Sequence, residues 1–154
     1  MRSDQFGPAA AEARPHLGRE TAEIVDATIP LGGRAPGLAR TVVKRSLGPH
    51  VTASVLEDAL LLVSELITNS VCHSGAPEGD DLVLRVEVWR GACRLEVEDR
   101  GCDKAIGPRR SDPSEGSGMG LNLVQMLSEH WGVVRTPAGR TRVWAQLPRA
   151  RAVA

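Results

Sequence analysis

The run SELITNSVCHS, residues 64–74, is the stretch on which both the fold and the chemistry turn. It closes a longer segment in which apolar side chains recur at Val55, Leu56, Ala59, Leu60, Leu62, Val63, Leu66, Ile67 and Val71. That is the i, i+3, i+4, i+7 spacing of a helix with one face in a core, and it predicts a helix over residues 55–71. At about 100° per residue, Glu65, Asn69 and His73 fall on one stripe beside the apolar one. On its own, an E-x-x-x-N pair is most often a solvated stripe. A carboxylate and an amide oxygen one turn apart can also hold Mg²⁺, or a water, over a phosphate, because magnesium takes oxygen ligands and keeps several waters. His73 stands just before Gly75, at a helix end where the dipole favours it.

Two motifs downstream give that stripe its meaning. LVLRVEVW, from Leu82 to Trp89, alternates Leu84, Val86 and Val88 against Arg85 and Glu87. After a tight connection at Gly91 and Ala92, CRLEVED alternates again through Leu95 and Val97. The pair predicts an antiparallel hairpin with one polar face. It ends at Asp99-Arg100-Gly101, so a carboxylate leaves a strand end beside a glycine that lets a flat ring approach. An isolated D-x-G is most often a turn. Next, Gly116, Gly118 and Gly120 lead into LNLVQMLSEHW, where Leu121, Val124, Leu127 and Trp131 keep helical spacing. Glycines opening a helix present backbone amides and the positive dipole end to an anion. In this order the three motifs describe a nucleotide site whose phosphates are held by a metal and by amides, with no P-loop lysine.

These residues resemble the GHKL-type ATPase/kinase domain, the Bergerat ATP-binding fold, and within it are most similar to the anti-sigma-factor serine/threonine kinases of bacteria. ELITNSVCHS resembles their N box, VEDRG their first glycine box, and GSGMGLNLVQMLSEHWGV their second with its Trp-Gly. GRTRVWAQLP resembles their closing strand, with Thr141 ahead of a Val-Trp pair. The resemblance spans residues 28–148 and implies ATP with Mg²⁺ as cofactors. Carried onto this chain, it makes Asn69 the metal-holding residue and His73, Asp99, Gly101 and Lys104 nucleotide contacts. Gly116, Gly118, Met119, Gly120 and Leu121 would line the phosphates, and Thr141 would meet the nucleotide from the last strand. Glu65 would be the catalytic residue, the general base for an acceptor serine or the group that orients its hydroxyl.

The implied partners are a sigma factor and a STAS-domain anti-anti-sigma protein, with a homodimer left open and a cytoplasmic location. Arg40, Lys44 and Arg45, on the helix expected over residues 36–47, would contribute to the partner surface. A lid expected over residues 104–115 would bring Arg109 and Arg110 to the phosphates, with a solvated charge cluster as the alternative. Asp103 stands where the family usually has the second glycine of D-x-G-x-G. Two functions therefore remain open: an active kinase, or a binding module of the same fold that sequesters without transferring a phosphoryl group. A detached histidine-kinase catalytic domain fits less well, because Glu65 would have no use in it.

Composition bounds the rest. A chain of 154 residues buries the core of one domain. Its 19 basic and 19 acidic residues cancel, and no basic tract interleaves with aromatics, which argues against direct nucleic-acid binding. The longest apolar run, Ala59 to Val63, is far short of a membrane span, and no secretion signal opens the sequence. Cys72, Cys93 and Cys102 have no C-x-x-C spacing and read as reduced thiols. Residues 1–25 are expected to be a loose N-terminal tail, 26–148 the ATP-binding/kinase domain and 149–154 a C-terminal tail. An edge strand is expected over 26–31 and a last strand over 140–147. The expected fold is α/β (α+β): a two-layer sandwich of a mixed, mostly antiparallel sheet covered on one face by about three helices.

Overall fold

The computed structural model describes residues 21–73, 76–77, 79–101 and 119–150. Strand β1 (Thr21–Pro30) leads into helices α1 (Ala35–Leu47) and α2 (Ala53–His73), then strands β2 (Asp81–Trp89) and β3 (Ala92–Asp99). Helix α3 (Met119–Leu127) and strands β4 (His130–Arg135) and β5 (Thr141–Pro148) complete the described elements. The strands form one sheet in the order β1-β2-β3-β5-β4, and all of its pairings are antiparallel. Among the described residues the expected mostly antiparallel sheet is therefore antiparallel throughout. The two-layer arrangement with three helices stands.

Local sequence accounts for each element. Helix α1 opens with a proline in its first turn, where the missing N–H costs nothing, and closes with Lys44 and Arg45 against the negative dipole end. Ala35, Ala39, Val43 and Leu47 form its buried face, and the two alanines let its backbone come close to the layer below. Helix α2 buries Val55, Ala59, Leu62, Val63, Leu66 and Ile67. Each of the larger side chains contributes about 1.5–3 kcal/mol on leaving water. The hairpin β2–β3 turns through Arg90 and Gly91, and Gly91 takes the left-handed conformation at φ +96°. The even positions of β2 (Leu82 to Val88) and the odd positions of β3 (Cys93 to Val97) share one core with both long helices.

Two differences from the sequence reading have physical reasons. Strand β1 begins at Thr21 rather than near residue 26, because the edge position pairs its first residue with Trp89 of β2. Helix α3 ends at Leu127, so Trp131 is not helical: it belongs to β4, an unforeseen strand. Ser128 N–H still bonds to Val124 O, but Glu129 N–H already bonds across to Gln146 O. The switch follows from Gly132, a poor helix residue, and from the β-branched Val133 and Val134.

The polar face of the hairpin is a paired one. Arg94 reaches Glu96 at 3.0 Å and stacks over the Trp144 ring, 4.2 Å from its centroid. Arg142 reaches Glu96 at 3.0 Å and Glu98 at 2.8 Å, and Arg85 reaches Asp26 at 2.6 Å. Glu87, Arg94 and Glu96 are buried although no described helix lies on their side of the sheet.

Candidate functional site

Asp99 and Thr141 are register partners on neighbouring strands β3 and β5, and both side chains are buried on the helix side of the sheet. The chain leaves β3 through Arg100 and Gly101. Gly101 adopts φ +78°, and its N–H donates to Asp99 Oδ1 at 2.7 Å. That bond fixes the carboxylate at the strand end and leaves Oδ2 as an acceptor. A Cβ on Gly101 would lie 2.6 Å from Thr141 Oγ1, 3.1 Å from Gly139 O and 3.2 Å from Thr141 N. The glycine is therefore required twice over, by its left-handed backbone and by the contact with β5. Thr141 Oγ1 is buried and makes no hydrogen bond to a described residue. A buried hydroxyl left so costs about 1–3 kcal/mol, a cost that a ligand atom placed there would remove. The set of acceptor carboxylate, donor-acceptor hydroxyl and side-chain-free glycine suits the polar edge of a flat heterocycle carrying an exocyclic amine.

Helix α2 packs against β3 and β5 on this side of the sheet and against α3 on its flank. Glu65 and Asn69 are half-buried on it, one turn apart, as the stripe predicts. Neither side chain is hydrogen-bonded to a described residue. Among the described residues, no three His, Cys, Asp or Glu gather as a metal cage. A cation here would take the Asn69 oxygen and complete its shell with phosphate oxygens and water, which is how magnesium binds at nucleotide sites. The donor set fits that ion. Helix α3 begins at Met119 and includes Gly120 and Leu121, so its N-terminus directly follows the glycine-rich segment and can meet an anion with free amides.

The structure thus places Glu65 and Asn69 on one helix face, and Asp99, Gly101 and Thr141 on the sheet beneath. His73 is the last residue of α2. Lys104, Arg109, Arg110, Gly116 and Gly118 lie outside the described residues, as do Asp103 and Cys102. Arg40 is exposed beside Lys44, and its Nη1 also donates to Ser64 Oγ at 3.1 Å and Leu60 O at 3.4 Å, tying α1 to α2 one residue before Glu65. Gly139 was missed. Pro137–Gly139 reads as a plain turn in the sequence, and only the Asp99–Thr141 register shows that this turn closes over Gly101. Around the strand ends, Arg100 pairs with Asp80 at 3.0 Å and Arg140 with Glu98 at 2.9 Å.

Comparison with known proteins places this arrangement. Residues 55–151 match the family model described as histidine kinase-, DNA gyrase B-, and HSP90-like ATPase. A search of curated proteins gives no match. Among solved structures, the RsbU and RsbW domains of Rv1364c from Mycobacterium tuberculosis are similar, with TM-score 0.63 and 21% identity over 86% of this chain. The chain spans 35% of that protein's length. The histidine kinase domain of a blue-light activated histidine kinase from Erythrobacter litoralis gives TM-score 0.46 and 27% identity. That match covers 79% of this chain and 62% of the other. No helix among the described residues is long and apolar enough to cross a membrane.

Proposed function

Because the chain belongs to the histidine kinase-, DNA gyrase B- and HSP90-like ATPase family, we propose that it is an ATP-dependent serine/threonine protein kinase of the anti-sigma type. In this reading it phosphorylates a STAS-domain anti-anti-sigma protein and sequesters a sigma factor. The observation that carries the proposal is Glu65, a half-buried carboxylate without a described partner, one turn before Asn69 on the helix above the nucleotide floor.

Asp99 accepts the exocyclic amine of adenine while Gly101 keeps its N–H on the other carboxylate oxygen. Thr141 Oγ1 completes the ring's polar edge. Asn69 would hold Mg²⁺, which, when bound, neutralises charge on the phosphates. The α3 N-terminus at Met119, Gly120 and Leu121 receives phosphate oxygens through free amides. Glu65 takes the proton of the acceptor serine hydroxyl as the oxygen bonds to the γ-phosphorus and the bond to ADP breaks. Such proton transfer contributes about 10²–10⁴-fold.

The test incubates the full chain with ATP and Mg²⁺ and a panel of STAS proteins. Glu65→Gln should keep ATP and partner binding and lose phosphorylation, whereas Asn69→Ala should lose metal-dependent ATP binding. Equal phosphorylation by Glu65→Gln and wild type would refute the base assignment. A wild type that binds both ATP and its STAS protein without phosphorylating it supports the second reading, a binding module acting by sequestration. Asp103 in place of the family's glycine is the observation that favours that reading.

A further inference from the structure

Asp99 and Thr141, the two polar side chains of the proposed nucleotide floor, are each flanked by an arginine. Arg100 directly follows Asp99, and Arg140 directly precedes Thr141. Both reach one place, the Asp80-Asp81 corner that opens β2. Arg100 Nε meets Asp80 Oδ2 at 3.0 Å and its Nη2 donates to Asp80 Oδ1 at 3.4 Å, so the guanidinium holds both carboxylate oxygens. A two-point grip of this kind sets orientation as well as distance. Arg140 Nη2 donates to Asp81 O at 3.5 Å while its Nε holds Glu98 Oε1 at 2.9 Å. The corner is itself fixed to the end of β1. Leu31 N–H donates to Asp80 O at 2.7 Å, and Gly79 N–H donates to Leu31 O at 2.9 Å.

Surface ion pairs add little to stability, and the Arg100 side chain is 62% exposed. What this pair can set is the path of the backbone from Asp99 to Gly101. The bond from Gly101 N–H to Asp99 Oδ1 depends on that path, and so does the packing of Gly101 against Thr141, which leaves no room for a Cβ. We infer that Asp80 is a positioning residue for nucleotide binding. Through Arg100 it holds the Asp99–Gly101 turn in the form that presents Asp99 Oδ2 to the adenine amine, and it touches no nucleotide atom itself. The inference rests on the proposed nucleotide site. A direct role for Arg100 as a cation on the phosphates predicts the opposite sign. Neutralising Asp80 would then release a positive charge to an anionic ligand and tighten binding, whereas the loss of a positioning contact weakens it.

Calorimetry on the full chain with Mg²⁺ and ATP, then ADP, reads that sign. Asp80→Asn should weaken both nucleotides by the same factor, about 3- to 30-fold, because the adenine end is common to them. Its urea midpoint should match that of Asp26→Asn, which breaks the Arg85 pair on the same sheet and should keep wild-type affinity. Asp80→Glu retains the carboxylate and should stay closer to wild type, and Asp80→Arg with Arg100→Asp should regain part of the affinity. Equal or tighter binding by Asp80→Asn would overturn the inference alone. So would a loss of affinity that tracks a fallen urea midpoint, or a charge exchange that recovers nothing. A wild type that binds neither nucleotide would overturn it together with the site on which it rests.

Discussion

Gly101→Ala measures how closely the end of β3 meets the turn into β5. An L-residue at φ +78° costs about 1–2 kcal/mol in backbone energy alone. The added methyl would then stand 2.6 Å from Thr141 Oγ1, 3.1 Å from Gly139 O and 3.2 Å from Thr141 N. A hydroxyl can rotate away, but the other two atoms are backbone in a paired strand and its turn. Crowding of this kind adds about 1–3 kcal/mol. The total is about 2–5 kcal/mol, and at this chain length each kcal/mol moves Tm by about 2–4 °C. Gly139→Ala supplies the internal control. Its φ is +79°, but a Cβ there meets nothing within 4 Å, so it should show the backbone cost without the crowding. Urea unfolding of wild type, Gly101→Ala, Gly139→Ala and Gly101→Ala/Thr141→Ala separates the contributions. The double variant should recover part of the loss through the removed hydroxyl contact. Gly101→Ala no worse than Gly139→Ala would refute the close approach, and with it the geometry assigned to the nucleotide floor.

Three further outcomes follow from the sheet. Arg94→Ala should cost about 1–3 kcal/mol in urea unfolding, because it leaves the buried Glu96 with Arg142 as its one described cation and removes the stack on Trp144, whereas replacing Arg94 and Glu96 together by leucine should cost less than either single change. Gly132→Ala should destabilise through its methyl at 2.8 Å from Trp144 Nε1, and Trp144→Leu should relieve that penalty in the double variant, as a thermal-melt cycle would read. Burial pushes the Cys93 thiol from its ordinary 9.0 up to about 12, so the folded chain keeps it neutral where the unfolded chain ionises. That contribution is complete below about pH 9 and lost as pH rises toward 12, and Cys93→Ala should flatten the fall in urea midpoint across this window.

What the sequence disclosed and what it concealed divide along the range of the interactions. Helix α2 and the β2–β3 hairpin were legible because their apolar positions repeat with periods that need no partner to be recognised. Glu65, Asn69, Asp99 and Gly101 could be placed on those elements directly. Thr141 entered only through resemblance, since its approach to Asp99 depends on a strand register that no local pattern encodes. Strand β4 was hidden because Leu121, Val124, Leu127 and Trp131 continue a helical spacing past the point where Gly132 and the cross-strand bond of Glu129 end it. The buried pairing of Arg94 and Glu96 was equally silent: in sequence the two sit on the polar side of an alternating strand, and their contacts with Trp144 and Arg142 come from β5, distant in sequence.

The insertion of β5 between β3 and β4 bears on the order in which the molecule matures. The hairpin β2–β3 and the pair α1–α2 join segments adjacent in sequence and close quickly, with little loop entropy to overcome. Asp99 and Thr141 meet only after the last strand has threaded back beside β3, across everything between them. A chain halted one step earlier would already own most of its hydrophobic interior and still lack the Asp99–Thr141 pairing on which the proposed nucleotide floor rests. On the proposed function, ligand capture therefore certifies a finished fold, and a copy truncated before β5 should give no nucleotide signal in calorimetry.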